Sequence, residues 1–209
     1  MKRVKNGVNG LNLAFSRAFV RDAGWGSVAL FLLMALIFVN AAAAEPPSWS
    51  EFEVKSGNGS HIAEVKAKEK IEGKDPSELE YIITVSKLEG ETKTELWTCD
   101  YTYNGKPGGL LSNDGMTFVY VEFFYHPDTP VVTIYHNGEK TGSLCGNDFE
   151  IDEALLKGMA PNILWLFEES PRYRFVRSGA LPVALEVKTI DGMTHLINVK
   201  TGSFFGGAG

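Results

Sequence analysis

The chain has 209 residues, with 20 Lys+Arg against 26 Asp+Glu, 22 Gly, 9 Pro and only 2 Cys. That composition excludes a collagen, a coiled coil, a disulfide-dense mini-protein and a disordered tail, and predicts one globular domain with an additional segment. The charge is unevenly spread: 1–44 holds five basic residues and one acid, so 45–209 keeps 15 basic and 25 acidic residues, a net −10 against −6 for the whole chain.

Val28 to Val39 is an unbroken apolar run of 12 residues behind a basic segment, and Asn40 and Ala41 to Ala44 follow it. A basic start, an apolar helical centre and a small-residue end predict a secretory signal peptide over 1–44, cleaved after Ala44. The run is shorter than the roughly 20 apolar residues that hold a helix in a bilayer. Counted from Trp25 to Ala44, however, 20 residues contain only Ser27 and Asn40 as polar side chains, so an uncleaved signal-anchor is the alternative. Either way 45–209 is expected to be one extracytoplasmic domain, periplasmic or secreted, touching a membrane only through that helix. Its charge disfavours a basic face for DNA, RNA or anionic headgroups.

The body reads as β-strands bounded by turn chemistry. After a Pro-containing lead-in over Glu45 to Ser50, strands are predicted at His61 to Glu69, Tyr81 to Leu88 and Thr92 to Tyr103, with a charged loop around Asp75-Pro76. Thr117 to Tyr125 and Val131 to His136 are rich in aromatic and β-branched residues, and Pro127 to Pro130 between them is a turn. Turning there would set Glu122 opposite Tyr135 and Val121 opposite His136. Asn137-Gly138 is a two-residue hairpin signal, because both positions tolerate positive φ, and it returns the chain through Glu139 to Cys145. Asp191-Gly192 does the same between Pro182 to Ile190 and Met193 to Lys200. Asp152 is placed to cap one short helix within Asp148 to Ala160. Asn162 to Phe167 fits either a buried strand or a helix.

Two stretches share a pattern: Ser56-Gly57-Asn58-Gly59, leading to Val65, and Ser112-Asn113-Asp114-Gly115, leading to Val121, both fit S-x-[ND]-G-x-x-[IF]-[AV]-x-V. Ser178 to Val187 keeps only the Ser and Val ends. The pattern resembles the blade repeat of bacterial extracytoplasmic β-propellers, and the chain as a whole is similar to short secreted bacterial proteins. The resemblance implies antiparallel meanders. The fold expected is therefore mainly β, antiparallel meanders in a sandwich or partial propeller-like arrangement, with one short helix and an N-terminal export helix.

Function is narrowed rather than named. Phe118, Tyr120 and Phe124 share one face of the aromatic strand and Tyr135 lies on its neighbour. Buried, they belong to a strand covered on both sides; exposed, they form a ligand platform for a protein, peptide or glycan. Cys99 and Cys145 end their predicted strands. In an oxidising compartment they would either pair, worth on the order of 4 kcal/mol through loop closure, or remain two buried thiols. The four histidines, His61, His126, His136 and His195, lack the close spacing of zinc ligands, so no metal and no cofactor is expected. No nucleophile elbow or zincin motif occurs. If the protein is an enzyme, it is a hydrolase with a nonsequential site drawn from Asp114, Glu122 and His136. Glu168-Glu169 beside Arg172 and Arg174 reads as a solvated loop. A binding or structural module is the principal expectation, and a membrane-anchored assembly subunit is the third.

Overall fold

The computed structural model describes residues 49–158, 162–178 and 181–205. The signal peptide expected over 1–44 lies outside them. Three antiparallel sheets follow one another in chain order. The first contains β1 (Phe52–Lys55), β2 (His61–Ala67), β3 (Tyr81–Glu89) and β4 (Thr92–Tyr101). The second contains β5 (Leu110–Leu111), β6 (Thr117–Val121), β7 (Pro130–His136) and β8 (Glu139–Cys145). The third contains β9 (Tyr173–Ser178), β10 (Leu181–Lys188) and β11 (Thr194–Asn198), with β10 in the middle. Every pairing joins strands consecutive in sequence, which is what short turns dictate, since antiparallel neighbours need only a hairpin between them.

The expected helix is absent among the described residues. Asp152 does act as an N-cap, its Oδ1 accepting the Ala154 N–H at 3.0 Å, but the element it opens is a single 3₁₀ turn, Glu153–Leu155. The preceding 3₁₀ turn, Gly146–Phe149, buries Phe149 against Trp165. Phe149 and Ile151, both buried, hold the segment against the core. No helix of the described residues is long and apolar enough to cross a membrane.

The second sheet is covered on both faces, and the alternation of β6 shows why. Phe118 and Tyr120, with Leu111 and Tyr135, pack against Ala63, Val65, Ile83, Val85, Trp97 and Tyr101 of the first sheet. Val119 and Val121, with Val132 and Ile134, pack against Leu185, Val187 and Ile197 of the third. Successive side chains of a strand point to opposite faces, so a strand apolar on both, as β6 is from Phe118 to Val121, must be buried twice. All five residues of β6 are buried. The aromatic platform is thus corrected: Phe118 and Tyr135 are fully buried and Tyr120 nearly so, because the first sheet closes over them. Phe124 alone is partly exposed, beneath the Lys106 ammonium at 4.0 Å from the ring centroid.

The register of β6 and β7 also differs from expectation. Thr117 pairs with His136, Phe118 with Tyr135 and Val121 with Val132. The strand stops at Val121 because Glu122 turns inward and its carboxylate accepts the N–H groups of Phe123 and Phe124. The connection therefore runs from Glu122 to Thr129 rather than tightly through Pro127–Pro130. The two cysteines are free, Cys99 on the last strand of the first sheet and Cys145 at the end of the second. Burial pushes the Cys99 thiol up to about 11, with Asp100 adding to the effect. Asn137-Gly138 forms the expected two-residue hairpin, with φ of 50° and 82°.

Candidate functional site

The recurrent turn is a defined hydrogen-bonded unit. In the first copy the Ser56 hydroxyl donates to Asn58 Oδ1 at 2.8 Å and accepts the His61 N–H at 3.0 Å, while Gly59, at φ 70°, donates its N–H to the Ser56 carbonyl. In the second, Ser112 donates to Asp114 Oδ1 at 2.5 Å and accepts the Thr117 N–H at 2.9 Å, and Gly115, at φ 73°, donates to the Ser112 carbonyl. A side-chain oxygen bonded to its own backbone two residues on is what favours Asn and Asp in such turns. The third copy is not Ser178 to Val187, which holds the β9–β10 connection and a bulge at Pro182. It is Thr189 to Met193, between β10 and β11. There the Thr189 hydroxyl donates to Asp191 Oδ1 at 2.6 Å, Asp191 Oδ1 accepts the Met193 N–H, and Gly192 donates to the Thr189 carbonyl.

The second copy differs from the others in what surrounds it. The Asn137 N–H donates to the Met116 carbonyl at 2.8 Å, which ties the Asn-Gly hairpin to the turn and sets His136 beside it. Across from them, the turn after β11 is held by the Thr141 hydroxyl, which donates to the Val199 carbonyl at 3.1 Å, and by backbone contact between Gly142 and Gly202. A side chain at either glycine would collide with the other's backbone. These contacts enclose a cleft of about 410 Å³ lined by Asp114, Met116, His136, Val183, Asn198, Lys200 and Phe205. It lies within the ordinary size range of small-molecule sites.

Each polar group in the cleft has a defined state. Asp114 uses Oδ1 for the Ser112 hydroxyl and the Met116 N–H. His136 shares a hydrogen bond with the Thr117 hydroxyl through Nδ1 at 2.9 Å, which leaves Nε2 toward other partners. Burial lowers the His136 pKa below its ordinary value and the Lys200 ammonium lowers it further, against the opposing pull of Asp114. The imidazole is therefore neutral at pH 7. Asn198 accepts the Lys200 N–H on its own Oδ1 at 2.9 Å, so its amide nitrogen is the group left to donate. Val183 and Phe205 are 39% and 50% exposed and supply an apolar wall.

Of the three residues considered for a hydrolase, Asp114 and His136 line this cleft and Glu122 does not. Glu122 sits at the far end of β6, five residues beyond the Thr117 that pairs with His136. At about 3.3 Å per residue that is on the order of 16 Å away. Its carboxylate, 2% exposed, accepts from Tyr120 Oη at 2.9 Å, Lys106 Nζ at 3.1 Å, Asn104 Nδ2 and two backbone N–H groups. Burial raises its pKa, but the Tyr120 hydroxyl, the Lys106 ammonium and the Phe124 N–H outweigh burial, and the net shift is below the ordinary value. No hydrogen bond joins Asp114 to His136 among the described residues.

The remaining candidates are dispersed. Cys99 and Cys145 lie on different sheets. Glu168 pairs with Lys157 at 2.5 Å, Arg174 with Glu186 at 2.9 Å, and Arg172 stacks over Phe123 at 4.9 Å. No three His, Cys, Asp or Glu side chains among the described residues come together as a metal site. Asn198, Lys200, Val183 and Phe205 were not singled out by sequence reading. The Asn-x-Lys-x-Gly spacing after β11 marks a turn, but nothing linear places it beside Asp114. No protein-family model, no curated protein and no solved structure matches the chain.

Proposed function

We propose that this chain is an exported, β-rich binding module that takes a small ligand in the cleft between its second and third sheets. The observation that carries the reading is the cleft itself. Three separate stretches of chain bring a carboxylate, an imidazole, an ammonium and an amide over one apolar wall, the composition of a site that binds and orients a small molecule. Export is supported by the basic, apolar and small-residue order of 1–44, with the membrane-anchored form as its alternative. Partial propeller-like architecture is supported by three consecutive meanders, each containing one copy of the same turn.

The test is a fragment screen followed by NMR. Compounds that bind are expected to shift the His136 ring and Met116 methyl signals together; hits that leave both unmoved would overturn the reading. N-terminal sequencing of the exported product checks the compartment, with Glu45 as the expected first residue. A hydrolase is the second reading, favoured by Asp114 and His136 lining one cleft. It predicts turnover of ester or amide substrates that His136→Ala abolishes.

A further inference from the structure

Asp114 and Lys200 line the same cleft, yet neither lies within ion-pair distance of an opposite charge among the described residues. An acid and a base that face one space without closing on each other leave room for something between them. The carboxylate is also fixed in place, because Ser112 and the Met116 N–H hold Oδ1 and leave Oδ2 without a bond in the structure. Orientation before binding reduces the entropy lost when a ligand arrives.

The charges of the cleft decide what fits. With His136 neutral, Asp114 and Lys200 cancel. A simple carboxylate would be drawn to Lys200 and repelled by Asp114, and a simple amine would meet the reverse; like-charge juxtaposition is a strong discriminator. A wholly apolar ligand would desolvate both charges without pairing either. A ligand bearing both charges satisfies both walls, and the apolar surface of Met116, Val183 and Phe205 receives the rest of it.

We infer that the cleft binds a zwitterion with an apolar side chain, an α-amino acid of the leucine or phenylalanine kind, its carboxylate toward Lys200 and its ammonium toward Asp114. The inference rests on the binding-module reading and names its ligand class. Asn198 supplies an amide donor beside Lys200, and His136, which lines the same cleft, has its Nε2 left for a further hydrogen bond. The cleft volume of about 410 Å³ accommodates such an amino acid with room to spare.

The experiment titrates the purified protein with L-leucine, N-acetyl-L-leucine and L-leucinamide, followed by calorimetry and by the His136 NMR signal. Leucine is expected to bind, and each capped analogue to bind at least tenfold more weakly, since about 1.4 kcal/mol, a modest charge contact, is a factor of ten. Asp114→Asn keeps an oxygen for Ser112 and Met116, and Lys200→Met alters an exposed side chain, so both variants are expected to fold. Asp114→Asn should cost affinity for leucine but not for N-acetyl-leucine, which lacks the ammonium. Lys200→Met should cost affinity for leucine but not for leucinamide. Capped analogues that bind the cleft as well as leucine overturn the zwitterion and leave the binding module standing. If none of the three compounds moves the His136 signal while unrelated fragments do, the ligand class is overturned; if nothing moves it, the binding module falls as well.

Discussion

Strand β6 carries an acid just beyond each end, and the two acids live differently. At one end Glu122 is almost wholly buried and surrounded by donors from Asn104, Lys106, Tyr120 and two backbone amides. At the other, Asp114 is half-buried, uses one oxygen for its own turn and turns toward a cleft. The saturated carboxylate ties the loop at Asn104 and Lys106 to the second sheet, and has no capacity left for a ligand. The unsaturated one retains that capacity. Hydrogen-bond saturation, more than residue type, separates a structural acid from an available one.

The largest effect is expected at Glu122. Glu122→Leu leaves the Lys106 ammonium and the Tyr120 hydroxyl without their partner, and is expected to cost about 3–5 kcal/mol of unfolding free energy in a denaturant titration. A loss below about 1 kcal/mol would show that the network is not structural. The same carboxylate sets an acid limit. Its folded pKa lies below the unfolded value, so its stabilisation is present above the ordinary glutamate range near 4.5 and is lost as pH falls through the lower folded value. His136, also lowered on folding, contributes stability above its ordinary value near 6.5 that is lost as pH falls through its own lower value. Unfolding free energy measured against pH should therefore decline on acidification both below about 6.5, where His195 is lowered as well as His136, and in the carboxylate range, where Glu64, Asp75, Glu89 and Glu168 are lowered as well as Glu122. Glu122→Gln should shrink the second decline without abolishing it.

Smaller effects sharpen the other end. Gly202→Ala places a methyl group against the Gly142 backbone at a φ of 68°, and is expected to cost on the order of 1–3 kcal/mol. Because it displaces the turn carrying Lys200, it should weaken ligand binding as well. Ser56→Ala and Ser112→Ala each remove a turn hydroxyl and should each cost about 1 kcal/mol. Only Ser112→Ala releases Asp114, so only it should also alter binding at the cleft. Asp114→Asn should change stability by no more than about 0.5 kcal/mol, a result that thermal unfolding would check directly against Glu122→Gln.

Much of the architecture was legible residue by residue. Asn137-Gly138 announced a two-residue hairpin because positive φ is costly for most side chains, and β8 runs over the predicted Glu139 to Cys145. Asp191-Gly192 marks the β10–β11 connection, but there only Gly192 has positive φ and the loop runs over 189–193 rather than two residues, because Asp191 Oδ1 is tied to Thr189 and Met193. The aromatic and β-branched run from Thr117 announced a strand and left open whether its aromatic face is covered. What failed, failed for identifiable reasons. β1 has alternating apolar and charged residues in a stretch of only 4, and β5 is a single pair of leucines; neither is long enough to show a period. β9 shows no strand signal in the sequence, where Arg174 reads with Glu168, Glu169 and Arg172 as a solvated loop, although Arg174 pairs across to Glu186 on β10. The register of β6 and β7 was misjudged because a buried glutamate, rather than the prolines, ends the strand.

By itself the sequence determined the division into a basic, apolar N-terminal segment and an acidic body, the β class of that body, and the turns that order its strands. These depend on neighbours in the chain: side-chain alternation, positive-φ tolerance and the short reach of an Asn or Asp oxygen to its own backbone. Only the tertiary structure decided that the aromatic residues of the second sheet are core, that the cysteines stay apart, and that Asp114, His136 and Lys200 share a cleft. Those outcomes depend on which sheet covers which face and on one close approach, Gly142 against Gly202. Contacts between residues so far apart in sequence leave no periodic trace along the chain.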